Sequence, residues 1–267
     1  MPIERPRWPP LRGVGTVDGH RVSWLDRPGS DPAVVLLHGW GSSAASFLGL
    51  LRRSTSRRRL LALDLPGFGE SPVGLGGWTT TRYADLVAAW TAAQLGVGYS
   101  LLGHSYGGAV SMRLAIGRPG PDRLLLCAAS GIRPPSDERG AKGVSVFRAL
   151  RAGARALPPP LSTTAVEWLS RHFGSADYRA AGPQLRPTLV AAVMEDLSEI
   201  AAQIDIPTLL VWGAADSELP LNPHSQRLRQ LIAPAELVTF ENSGHFPFVD
   251  EADRFARIFD AFMDVEI

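Results

Sequence analysis

The sequence predicts an α/β fold: a mostly parallel, doubly wound sheet of about eight strands, with a helical cap inserted after the sixth. Three observations predict it. Short, continuous apolar runs recur at 33–37, 59–65, 99–103, 123–129, 208–212 and 236–240, the signature of strands covered on both faces. Helical spacing separates several of them, as at 80–95, where Tyr83, Leu86, Val87 and Trp90 share one face, and again at 106–117. The alternation then breaks once, between 132 and 204, where no buried strand is legible.

Each element follows in order. The chain opens on a hairpin, 13–17 and 20–25, joined at Asp18-Gly19, a dipeptide whose turn geometry matches strand twist. The buried strands come next, alternating with helices, and a helix over 250–263 closes the chain. Strands and helices in alternation stack as a parallel sheet with helices on both faces. The segment 132–204 is arginine-rich and helical in pattern, and is punctuated by Pro158, Pro159, Pro160, Pro183 and Pro187. Without strands it cannot extend the sheet, so it is expected to cover one edge. Residues 1–131 and 205–267 are therefore expected to form the core, and 132–204 the cap.

Composition narrows the function classes. A chain of 267 residues with 45% hydrophobic content can bury a large core. A formal net charge of +1 provides no overall field for nucleic acid or an anionic membrane. Lys142 is the only lysine, every other cation being arginine; codon bias and selection for guanidinium contacts both lead there. Cys127 is the single cysteine, which excludes an intrachain disulfide and a cysteine-based metal site. No apolar h-region occupies residues 1–10 and no stretch is apolar enough to span a bilayer. A cytoplasmic protein with no membrane or nucleic-acid partner is expected.

The sharpest motif is Gly103-His104-Ser105-Tyr106-Gly107-Gly108, placed between a predicted strand and a predicted helix. A nucleophile at such a turn is held in strained dihedrals with its hydroxyl projecting from the sheet edge. Gly103 and Gly107 are required because strand and helix approach too closely there for side chains. The second motif, His38-Gly39-Trp40-Gly41, follows the 33–37 strand. Acyl transfer needs two N–H donors around the developing oxyanion; Tyr106 and Trp40 are the candidates, with Gly39 allowing close approach and His38 bracing the loop.

The base and its acid come from the last two strands. His245, in Ser243-Gly244-His245-Phe246-Pro247, and Asp216, after Trp212-Gly213-Ala214-Ala215, both lie beyond strand carboxyl ends, where open α/β sheets keep their sites. Glu218 is the rival acid, but Asp216 is nearer the strand end. Asp64 also ends a strand, but on the wrong side of Ser105 for the order Ser, Asp, His. His104 fills the elbow, while His20, His172 and His224 read as surface or packing residues. No clustered histidine and carboxylate set is visible, so neither a metal nor a cofactor is expected.

On these residues the chain resembles the α/β-hydrolase family over essentially its whole length. The run Asp64-Leu65-Pro66-Gly67-Phe68-Gly69-Glu70-Ser71 is similar to the segment after that family's fourth core strand. The resemblance implies Ser105, Asp216 and His245 as the catalytic triad, with Trp40 and Tyr106 as oxyanion donors. Pairing His38-Gly39-Trp40-Gly41 with Pro66-Gly67-Phe68-Gly69 also resembles the pimeloyl-carrier-protein methyl ester esterases of biotin synthesis. Their elbow lacks the His104 and Tyr106 pair, so the likeness supports carboxylesterase chemistry better than that substrate.

A small ester is the expected substrate. Carbon–carbon bond hydrolysis, thioester hydrolysis, perhydrolysis and slow-turnover ligand binding stay open on the same triad. In the cap, Val146, Phe147, Leu150, Trp168, Leu169 and Phe173 recur at helical spacing and are candidates to roof the site. Arg133, Arg139, Lys142, Arg148, Arg151 and Arg155 face only Asp137 and Glu138 in that stretch. Such a basic surface could dock an acidic carrier protein.

Overall fold

The computed structural model describes residues 9–74, 77–95, 98–133, 177 and 180–265. The six candidate roof residues, His172 and the cap charges other than Arg133 lie outside the described residues, as do residues 1–8.

Eight strands form one sheet in the order β1-β2-β4-β3-β5-β6-β7-β8. They are β1 Leu11–Val17, β2 His20–Arg27, β3 Ser30–Leu37, β4 Arg58–Asp64, β5 Tyr99–His104, β6 Leu124–Cys127, β7 Thr208–Gly213 and β8 Ala235–Phe240. β2 pairs antiparallel with both β1 and β4, and the remaining pairs are parallel. The expected hairpin forms with Val17 opposite His20 across Asp18-Gly19. β6 is shorter than the apolar run that predicts it, because the backbone turns at Ala128, where φ is +45°.

Period-two alternation sends neighbouring residues of each strand to opposite faces. Val35, Leu37, Leu61, Leu63, Leu101, Leu126 and Trp212 pack on one side, beneath α2 (Thr80–Gln94) and α3 (Tyr106–Ala115). Val34, Leu36, Leu60, Ala62, Leu102, Leu125 and Val211 pack on the other. That second face is covered by α1 (Leu48–Arg53) and by a long C-terminal helix, through Leu50, Leu51, Phe255 and Phe259. Cys127 lies in this second layer, fully buried, and burial pushes its thiol pKa well up. The packing fits the inert thiol that its apolar surroundings suggest.

The other helices among the described residues are α4 Arg186–Met194, α5 Ser198–Ala201, α6 Leu221–Leu231, α7 Pro247–Asp250 and α8 Ala252–Met263. The expected closing helix is α8, which starts two residues later than expected because Glu251, with φ −121° and ψ 52°, separates it from the short α7. The 3-10 turn Ala44–Phe47 and α1 are short, and α6 is polar on the whole and carries Pro223 beside a non-helical Asn222, so the sequence does not announce them.

Within the expected cap, the described residues form helices and no strand. Their carboxyl end is tied to the core. Thr188 Oγ1 accepts from the Trp78 N–H at 2.9 Å, and the Leu197 N–H donates to Gly131 O at 2.7 Å. Glu195 accepts from Arg113 at 3.0 Å.

The sheet order also fixes where a site can form. The chain passes from β3 outward to β4, then crosses back to β5 on the other side of β3. The loops after β3 and β5 therefore diverge at a switch point, the crevice where open α/β sheets bind ligands.

Candidate active site

Ser105 occupies that crevice, with φ 50° and ψ −116°. This is strained backbone for a residue with a side chain, and its neighbours hold it there. The Ser105 N–H donates to Cys127 O at 3.0 Å, and its carbonyl accepts from Gly108 and Ser130 at 2.9 and 3.0 Å. The flanking glycines are sterically required. A Cβ on Gly103 would lie 2.3 Å from Ser111 Oγ, and one on Gly107 would lie 2.2 Å from Leu37 O. Every residue of the elbow is buried except Ser105 itself, which is half-buried.

The loop after β3 is braced from below. His38 is fully buried; its Nδ1–H donates to Gly39 O at 2.8 Å, and Nε2 accepts from the Leu65 N–H at 3.1 Å. The two bonds fix one tautomer, and burial pushes the imidazole pKa down, so the ring is neutral. Asp64 carries the same loop from the next strand: its oxygens accept from Ala44 N at 2.7 Å and Glu70 N at 3.1 Å. Asp64 is thereby spent on two backbone amides. Trp40 stands half-buried above, edge-on to Phe68 and Tyr106 with ring centroids 5.0 and 5.6 Å away. Tyr106 in turn meets Tyr83 at 5.6 Å. Burial pushes both phenols up, so this wall is aromatic and neutral.

The loops after β7 and β8 are bound to one another. Ala214 N–H donates to Phe240 O at 2.9 Å and Ala215 N–H to Ser243 O at 3.0 Å. This brings His245 Nδ1 within 2.8 Å of Asp216 Oδ2, both side chains being nearly inaccessible. Asp216 Oδ1 accepts from the Glu218 and Leu219 N–H groups, both at 2.9 Å. Burial alone would raise this carboxyl. The bonds from His245, Leu219 and Glu218 outweigh it, and the pKa lies below the ordinary value. An ionised Asp216 with one oxygen already committed leaves Oδ2 to accept from Nδ1–H, so Nε2 is the nitrogen turned away from that carboxylate.

Two further residues belong here, and the sequence did not assign them these places. His104 Nε2 donates to the carbonyl of His245 at 2.9 Å, tying the elbow to the histidine loop across 141 residues. It is deeply buried against His245, Phe246 and Phe248. Burial, then the neighbouring His245, pushes its pKa down to about 3. Glu218, the rival acid, does not approach Nδ1; its Oε2 lies 3.6 Å from His245 Nε2. Strand alternation could have placed the His104 ring under the sheet edge, but nothing local could have named its partner. His20 packs edge-on against Trp78, and His224 Nδ1 lies 3.0 Å from Pro220 O.

Among the described residues no group of histidines, cysteines and carboxylates could hold a metal ion. No helix among them is long and apolar enough to cross a membrane.

A family model described as the alpha/beta hydrolase family matches residues 34–258, which takes in the elbow, the site loops and six of the eight strands wholly or in part. The chain belongs to the alpha/beta hydrolase family. Within it, the chain is 30% identical over 253 residues to a pimeloyl-[acyl-carrier protein] methyl ester esterase of Neisseria meningitidis serogroup B, covering 89% of this chain and 95% of that one. An uncharacterized protein of Mycobacterium tuberculosis is 28% identical over 286 residues, covering 96% of this chain and 82% of its own. Among solved hydrolase structures, a bacterial membrane phospholipase A superposes with a TM-score of 0.73 at 27% identity, over 96% of this chain and 86% of its own. An esterase from Exiguobacterium antarcticum superposes at 0.70 with 23% identity, over 94% and 98%, a likeness of fold alone.

Proposed function

We propose that the protein is a serine carboxylesterase that cleaves its ester through an acyl-enzyme, with Ser105 as nucleophile, His245 as base and Asp216 as acid. The observation that carries this reading is the 2.8 Å bond from His245 Nδ1 to Asp216 Oδ2, made by a carboxylate whose other oxygen is already satisfied. Ser105 Oγ attacks the ester carbonyl while Nε2 takes its proton. The N–H groups of Trp40 and Tyr106 receive the oxyanion. Nε2 then returns the proton to the leaving alcohol, and water repeats the cycle on the acyl-enzyme. Asp216 stays ionised throughout and stabilises the imidazolium. The neutral aromatic wall of Trp40, Phe68, Tyr83 and Tyr106 suits an apolar acyl group.

Residues 132–204 belong to this reading as a cap, and its described end supports that assignment. Ala181 and Leu189 form a small buried cluster against which Trp40 and Leu185 pack. The reading includes a cytoplasmic location.

A carrier-bound acyl ester is the second reading of the substrate, favoured by the Neisseria relative. Of the basic residues that suggested docking, Arg133 is engaged elsewhere, donating to Val193 O and Met194 O at 3.1 and 2.5 Å, the carboxyl end of α4.

The test is Ser105→Ala assayed on p-nitrophenyl acetate, together with fluorophosphonate labelling of the parent protein. Turnover is expected to fall by several orders of magnitude in a normally folded variant, and the label to attach to Ser105. Parent-like turnover by folded Ser105→Ala would refute the assignment. Binding of esters without turnover or labelling would favour a ligand-binding protein instead.

A further inference from the structure

The two sides of Ser105 differ in charge. The wall formed by Trp40, Phe68, Tyr83 and Tyr106 is uncharged, and the Tyr83 hydroxyl is spent on Pro66 O at 2.7 Å. On the histidine side stands Glu218, whose Oε2 is 3.6 Å from His245 Nε2. The two side chains of that pair differ sharply in access to solvent, His245 being 6% exposed and Glu218 62%. Glu218 is fixed in place by its backbone, since its N–H donates to Asp216 Oδ1 at 2.9 Å. Its backbone is consequently tethered to the acid of the site, while its carboxylate stays largely open to solvent.

In ester cleavage the proton that Nε2 holds must pass to the leaving oxygen, so that oxygen lies within hydrogen-bond reach of Nε2. A carboxylate 3.6 Å from Nε2 is therefore a few ångströms from the leaving alcohol. We infer that Glu218 is a specificity-determining residue that selects esters whose leaving alcohol carries a positive charge. The inference rests on the esterase reading above. Glu218 makes no bond to substrate that the chemistry consumes; it sets the potential into which the leaving group is released. A cationic alcohol gains attraction there both on binding and as its oxygen departs, and an anionic one is repelled. The residue that failed as the acid of the triad thereby acquires a distinct role.

The isosteric pair butyrylcholine and 3,3-dimethylbutyl butyrate tests this, because the two differ only in a quaternary nitrogen in place of a quaternary carbon. For the parent protein, the ratio of kcat/KM for the cationic over the neutral ester is expected to be about ten, the effect of one partly screened carboxylate at this range. Glu218→Gln should bring the ratio to about one, and Glu218→Lys should invert it. High salt, near 1 M, should shrink the parent ratio and leave that of Glu218→Gln unmoved. Circular dichroism checks folding, which an exposed side chain should not disturb. A parent ratio near one, or a ratio that survives Glu218→Gln, overturns the inference while leaving the esterase reading intact if turnover still requires Ser105. Loss of Ser105-dependent turnover on both esters would remove both readings together.

Discussion

Acidification should unfold this protein in a way that one substitution relieves, because the elbow buries a histidine that cannot take up a proton. A histidine in the unfolded chain titrates near about 6.5, whereas His104 in the fold is pushed down to about 3. Below about 6.5 the unfolded chain binds a proton that the folded chain refuses. The stability held above that pH is therefore lost as pH falls, until the folded group itself titrates. At about pH 5 the gap amounts to roughly 1.5 pH units at about 1.4 kcal/mol each, or about 2 kcal/mol relative to pH 7.5. His38, also lowered by burial, adds loss in the same direction. His104→Gln keeps an N–H donor for the His245 carbonyl and has no proton to accept. Urea unfolding followed by tryptophan fluorescence at the two pH values should show the parent losing about 2 kcal/mol more than the variant. Equal losses in the two proteins would refute the burial argument, whatever their stabilities at neutral pH.

Two other outcomes follow from close packing. In Gly39→Ala the new Cβ would lie 2.9 Å from His104 Nδ1 and 3.0 Å from Ser105 Cβ. The loop must retreat, and kcat should fall by about 10²-fold, the range seen when one oxyanion donor is lost; a change within threefold would show that the Trp40 amide is not needed. Arg27, buried in the sheet, donates to Ser54 O, Ser56 O and Arg58 O at 2.9, 2.7 and 2.9 Å. Arg27→Met should cost about 3 kcal/mol by stranding three buried carbonyls, and an unchanged urea midpoint would contradict that.

The sequence alone determined the sheet, the elbow and the order of the loops, because those features are dictated by short-range sterics. Apolar runs such as 33–37 and 99–103 permit only strands covered on both faces. Gly103 and Gly107 around Ser105 leave one turn geometry, and the strands place the loops bearing Trp40, Asp216 and His245 at the same sheet edge. The elements at 44–53 were not legible because they are too short to hold a periodic face without tertiary packing, and 221–231 because Pro223 and a mostly polar composition mask it. Tertiary structure alone decided what the polar side chains do once they arrive. His104 finds the carbonyl of His245 from 141 positions away, Asp64 is spent on the amides of Ala44 and Glu70, and Glu218 turns toward Nε2 while Asp216 takes Nδ1. Each outcome depends on the relative placement of loops from different strands. That placement is a property of the assembled sheet and its packing, and no local pattern of residues encodes it.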